Sequence, residues 1–176
     1  HAVINFDDDF GRGLLNEIAP SVQTYTYSAQ VSEVDYVDLG VSTITQHEHG
    51  IEAMVHTPKG QALLQVGLIG RFNLSNLLAT LAVLLLHKID LSSATFAINN
   101  LSTVCGRMQL IGSEQQSKNK PQAIVDYAHT PDALEQALMA AKEHVAHGQL
   151  WVVFGCGGDR DAGKRPKMAS IAETWA

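Results

Sequence analysis

The chain has 176 residues, 45% hydrophobic and 17% charged, with a formal net charge of -6. A chain of this length buries roughly two-thirds of its unfolded surface, which excludes global disorder. Two cysteines exclude a disulfide scaffold, and the acidic balance gives no basic footprint for nucleic acid.

Residues 2–6 predict a short buried strand. Asp7, Asp8 and Asp9 lead into a predicted helix over residues 11–18, with acids where the helix dipole favours them. Residues 22–27 are rich in Thr and Tyr and predict a strand. Residues 34–45 are also β-rich, with Gly40 as a bulge or bend. Residues 51–56 and 61–66 flank Thr57-Pro58-Lys59-Gly60, a turn signal that predicts a hairpin. Residues 22–66 together predict an antiparallel meander.

The character then changes. Residues 73–89 and 91–104 predict two helices, the second capped by Ser92 or Ser93. The apolar run at 77–86 would cover only about half a bilayer core, so it reads as a buried helix and not a membrane span. No secretory signal opens the chain. Polar residues 112–120 predict an exposed loop, and 122–127 a strand. Thr130-Pro131-Asp132 is a helix start, with Thr as N-cap and Pro at the first position. Leu134, Leu138, Ala141 and Val145 mark the core face of that helix. Residues 150–154 predict an apolar strand, followed by a glycine-rich loop and a last helix from Pro166. Strands and helices alternating at this spacing predict a parallel α/β sheet.

Three places carry candidate chemistry. The first is the run from Gly155 to Pro166, with four glycines and five charges. It follows a predicted strand and precedes a helix, where ligands of parallel sheets bind. Glycines let a ligand approach the backbone, and Arg160, Lys164 and Arg165 suit carboxylate or phosphate. Gly158 to Lys164 has Walker A spacing, but Arg165 stands where Ser or Thr is required. The dinucleotide fingerprint fails as well, because Arg160 replaces its third glycine. The second place is Asp126, at a strand end, which could accept from a ribose hydroxyl, orient a cation or belong to a helix-capping turn. The third is Asn73 and Asn76, i and i+3 on one helix face. Their amides could pair with an adenine edge or simply cap the helix. His47-Glu48-His49 with His56 reads as solvated surface and not as a metal cluster. Cys105 and Cys156 read as small core or loop residues.

Four segments in order carry a resemblance. They are Phe72-Asn73-Leu74-Ser75-Asn76, Gly106-Arg107-Met108, Val125-Asp126-Tyr127-Ala128-His129-Thr130-Pro131-Asp132, and the run from Gly155 to Pro166. The chain resembles the Mur ligases, in particular the branch that adds the third peptide residue during peptidoglycan synthesis. The resemblance is densest from Gly67 onward. It implies an α/β chain in two parts. Residues 1–106 would be the second half of a central ATPase domain, an antiparallel meander plus helices. Residues 107–176 would be the start of a Rossmann-like parallel α/β domain that binds the incoming amino acid.

The resemblance also implies a reaction, ATP-dependent amide formation through an acyl phosphate. The partners would be UDP-N-acetylmuramoyl dipeptide, ATP with Mg²⁺, and an amino acid. The arginine-rich glycine loop suits meso-diaminopimelate, with its extra carboxylate, over lysine. By the same resemblance Asn73 and Asn76 would face the adenine, Asp126 the ribose and Arg107 the phosphates. Arg160 would pair with a carboxylate of the amino acid, and Lys164 and Arg165 would support that pocket. No residue of this chain would be catalytic and none would hold the metal. The P-loop, a carbamylated lysine and the Mg²⁺ ligands would precede His1, and an Asp-Asn-Pro-Arg motif would follow Ala176. The chain is therefore expected to be an internal fragment, inactive alone, from a cytoplasmic monomer without membrane insertion. A free-standing nucleotide- or anion-binding α/β module stays open as the alternative.

Overall fold

The first strand, β1 (Ala2–Asn5), pairs in parallel with β2 (Thr24–Tyr27) in a computed structural model that describes residues 1–47, 50–111, 121–145, 148–157 and 161–176. Between them lies α1 (Asp9–Leu14), capped by the Asp8 carboxylate, which accepts from Gly11 N–H at 2.6 Å. That cap starts the helix two residues before the predicted position, and the helix ends at Leu14, short of 18. Gly11 sits against β1 so closely that an added Cβ would lie 1.8 Å from the Asn5 carbonyl oxygen.

β3 (Gly40–His47), β4 (Gly50–Thr57) and β5 (Gly60–Val66) form an antiparallel sheet in that order. The hairpin predicted around Thr57 and Gly60 is present, with those two residues paired. The predicted meander over 22–66 is corrected at its start, because β2 joins β1 in parallel. Residues 28–39 do not turn back as a hairpin but pass through a 3-10 turn at Val31–Glu33. Asp38 closes that excursion by accepting from Thr26 N–H at 2.8 Å and from its hydroxyl at 2.9 Å. Ser28, fully buried, donates to Asp7, whose other oxygen accepts from Ala29 N–H at 2.9 Å.

Alternation puts one face of each strand inside. Ile51, Ala53 and Val55 of β4 and Leu64 and Val66 of β5 are buried. α2 (Arg71–Leu86) buries Leu74, Leu77, Leu78, Leu81, Ala82, Leu85 and Leu86, a stripe at helical spacing that packs on β1, β2 and α3. No described helix is long and apolar enough to cross a membrane. α3 (Leu91–Asn99) packs on β5. Its last residue covers part of the outer edge of that strand. The Asn99 amide accepts from Gln65 N–H at 3.0 Å and donates to Leu63 C=O at 3.2 Å.

The cap of α3 is Asp90, not Ser92 or Ser93. Its carboxylate accepts from the Ser92 hydroxyl at 2.5 Å and from Ser93 N–H at 2.9 Å. A charged acceptor takes the cap, and the serines become its donors. The Ser92 hydroxyl first, then the Ser93 N–H, hold the Asp90 carboxyl down at about 2 from 3.8. A carboxyl depressed on folding stabilises above its unfolded value and loses that contribution as pH falls through its folded value. Between about pH 4 and pH 2 the thermal midpoint should therefore fall less steeply in Asp90→Asn, which keeps a capping oxygen without the charge. Identical acid limbs for both proteins would refute this.

The chain divides into two compact units, His1–Gly67 with Arg71–Ser102, and Leu68–Gly70 with Thr103–Ala176. In the second, β6 (Gln109–Ile111) pairs antiparallel with β7 (Ala123–Val125). α4 (Pro131–His144) starts at the predicted Thr130 cap, whose hydroxyl accepts from Ala133 N–H at 3.3 Å. α5 (Lys164–Trp175) starts two residues earlier than predicted and packs on α4. Leu134, Leu138 and Met168 form the buried cluster between them.

The strand predicted at 150–154 does not form, and among the described residues this segment has no ladder partner. Its side chains do alternate. Leu150 and Val152 pack on the Leu134–Met168 cluster, while Trp151 is 83% and Val153 99% exposed. The pattern of a half-buried strand is thus present without a neighbour to pair with. The sheet described in this unit, β6 with β7, is antiparallel and not the parallel sheet predicted, although the chain as a whole is α/β as expected. The polar segment 112–120 lies outside the described residues.

Candidate functional site

The candidate residues cluster at the turn between Val104 and Gln109 and at the end of β7. Gly106 and Met108 both have positive φ, 69° and 46°. Gly106 adopts that conformation freely, whereas for Met108 it costs roughly 1–2 kcal/mol. Two features hold Met108 there. Its side chain is only 2% exposed, and its N–H donates to Asp126 Oδ2 at 2.9 Å. The other Asp126 oxygen accepts from Ala128 N–H at 2.8 Å. One carboxylate thus fixes two turns, and the strained residue lies beside the candidate Arg107, where backbone strain commonly marks function.

Arg107 is exposed, and its guanidinium carbon stands 5.0 Å from the centroid of the Tyr127 ring. That is a cation–π distance. Tyr127 meets His129 edge-on, with ring centroids 5.3 Å apart. His129 Nδ1 lies 3.1 Å from Tyr127 C=O, which assigns the proton to that nitrogen. The Lys164 ammonium donates to His129 C=O at 3.0 Å. Arg107, Asp126 and Lys164 are therefore brought together through Tyr127 and His129.

Both of those rings lie inside the Val125–Asp132 motif, yet their residue types alone mark no role for them. The signal that could have found them is their i, i+2 spacing, which places side chains on one side of extended chain. The reading of Asp126 as part of a helix-capping turn agrees with the structure, where Asp126 accepts from Ala128 N–H and Thr130 caps α4 as expected.

Asn73 and Asn76 lie in the first turns of α2, in the other unit. Asn73 is half-buried and Asn76 exposed. The Asn76 carbonyl accepts from the Thr80 hydroxyl at 2.8 Å. Arg160 lies outside the described residues, as do Glu48 and His49. His56 is engaged by the Ser42 hydroxyl at 2.8 Å, and among the described residues no group of three His, Cys, Asp or Glu could hold a metal. Cys156 is a free cysteine whose thiol donates to Met168 Sδ at 3.4 Å, on the buried cluster.

Comparison with known proteins adds to this geometry. Residues 1–84 match the Mur ligase middle domain, and residues 106–176 match the Mur ligase glutamate ligase domain. The chain belongs to the Mur ligase family. Among the Mur ligases it is 45% identical over 175 residues to a protein of Coxiella burnetii, covering 99% of this chain and 35% of that one. It is 48% identical over 174 residues to one of Pseudomonas aeruginosa, covering 99% and 34%. Both are named UDP-N-acetylmuramoyl-L-alanyl-D-glutamate--2,6-diaminopimelate ligase. A solved structure of that name superposes with a TM-score of 0.68 at 35% identity, over 99% of this chain and 34% of the other. The chain thus spans about a third of the length of the Mur ligases it matches. A MurF ligase of Thermotoga maritima in complex with ADP, 21% identical with a TM-score of 0.55 over 78% of this chain and 29% of the other, shares the fold.

Proposed function

We propose that this chain is part of an ATP-dependent ligase that joins meso-diaminopimelate to UDP-N-acetylmuramoyl-L-alanyl-D-glutamate. The observation that carries the reading is the likeness, over 99% of the chain, to relatives bearing that name. In it, residues 1–106 belong to the central ATP-binding domain and 107–176 to the amino-acid-binding domain. The dipeptide carboxylate attacks the γ-phosphate of ATP, and ADP leaves. The amine of diaminopimelate then attacks the acyl phosphate, and phosphate departs from the tetrahedral intermediate. Work of this kind is mostly positioning and charge neutralisation.

The chain's own residues supply binding. Arg107, exposed and steadied over Tyr127, carries a fixed positive charge for the phosphates. Asp126 orients the Arg107 turn and accepts from the ribose. Asn73 and Asn76 face the adenine. Arg160 pairs with a carboxylate of diaminopimelate, and Lys164 supports that pocket. Among the described residues no group of three His, Cys, Asp or Glu could hold Mg²⁺, and this reading assigns the metal's ligands to the rest of the enzyme. The whole enzyme would act in the cytoplasm, as a monomer, in cell-wall synthesis.

The test uses the full-length parent. It should form one amide, one ADP and one phosphate per diaminopimelate consumed, and accept lysine poorly. In that parent Arg160→Ala should raise the KM for diaminopimelate about tenfold, the worth of one charge-assisted bond, with the KM for ATP little changed. Equal effects on both substrates would remove Arg160 from the amino-acid pocket. Nucleotide binding without ligation would favour the other reading, a free-standing nucleotide-binding module.

A further inference from the structure

Lys164 opens α5 near the end of the run from Gly155 to Pro166, and its ammonium reaches a backbone carbonyl 35 positions earlier in the chain. That carbonyl belongs to His129, in the turn between Asp126 and Thr130. Both ends of this turn are fixed. Asp126 holds Ala128 N–H at one end, and Thr130 caps α4 at the other. His129 in turn contacts Tyr127, and Tyr127 lies under Arg107.

We propose that Lys164 is a positioning residue, a clasp between the helix that follows the glycine-rich run and the turn bearing Asp126, Tyr127 and His129, so that occupancy of the amino-acid pocket and of the nucleotide site are coupled. The inference rests on the function proposed above and gives Lys164 a task beyond supporting the pocket. A lysine ammonium has three donors. One is held by His129 C=O, which leaves others to meet a carboxylate. A ligand that engages them shifts Lys164 relative to that carbonyl, and the displacement is felt by the turn under Arg107. The clasp is a hydrogen bond at the surface, so the coupling is modest, about three- to tenfold in affinity. Coupling of binding must run both ways.

The experiment measures ADP affinity of the full-length parent by calorimetry, with and without diaminopimelate, for the wild type, Lys164→Met and Lys164→Arg. The wild type should change its ADP affinity about three- to tenfold when diaminopimelate is present. Lys164→Met should lose that change, and Lys164→Arg should restore part of it. Backbone hydrogen exchange over residues 127–134 of the unliganded protein should quicken in Lys164→Met, a readout that needs no ligand. Uncoupled binding in the wild type, or a Lys164→Met that weakens diaminopimelate alone with exchange unaltered, would overturn the inference and leave the ligase reading standing. A parent that binds no nucleotide would overturn the ligase reading, and the coupling with it, whatever exchange shows of the clasp.

Discussion

Full-length enzyme carrying Asp126→Ala should lose about 30-fold in kcat/KM for ATP, which corresponds to ~2 kcal/mol. Both Asp126 oxygens accept backbone N–H groups, from Met108 at 2.9 Å and Ala128 at 2.8 Å. Alanine leaves both donors without that acceptor and frees Met108 to abandon its positive φ. Arg107 would then lose its fixed placement over Tyr127. Asparagine retains one oxygen, so Asp126→Asn should fall between alanine and wild type. The order wild type, Asn, Ala separates a positioning carboxylate from one that merely contributes charge. If Asn and Ala were equally damaging, charge at this site would matter and the double acceptor would not.

Gly11→Ala should be strongly destabilising to the first unit. Its Cβ would lie 1.8 Å from the Asn5 carbonyl oxygen, which is backbone and cannot swing aside. Either α1 must lift from β1 or the strand must bend, at about 3 kcal/mol. For a chain of this size that lowers the thermal midpoint by about 6–12 °C. Gly13 lies two residues on in the same helix, and a methyl added there would meet nothing within 4 Å. Gly13→Ala should raise stability by roughly 0.5–1 kcal/mol, from helix propensity. Matching losses at both positions would mean that the helix rejects side chains in general, and the close approach at Gly11 would not be the cause.

Elements with local signals were legible in the sequence. The β4–β5 hairpin declared itself through Thr57-Pro58-Lys59-Gly60, and α4 through Thr130-Pro131-Asp132. The buried stripe of α2 follows from leucines three and four apart. Pairing between distant segments was not legible. Nothing in the Thr/Tyr alternation of β2 says that its neighbour is β1, in parallel, because that choice is made by α1 and by the Asp38 contacts with Thr26. The α3 cap shows a local competition decided by charge, in which Asp90 prevails over two serines. At the candidate site, Asp126 and Lys164 each stand out in the sequence as a charge near a turn, whereas Arg107 enters only through the family resemblance. That Tyr127 and His129 would join them depends on one ring lying under a guanidinium and one carbonyl meeting an ammonium.

The Asn99 amide on the rim of β5 has a consequence for how this chain behaves among copies of itself. A strand rim with free N–H and C=O groups invites another chain to add to it. On β5 the pair formed by Gln65 N–H and Leu63 C=O is already taken by a side chain that imitates one peptide unit. An incoming strand would have to displace that amide before gaining those two bonds. A single asparagine thus blocks this stretch of the β5 rim, without another strand being laid along it.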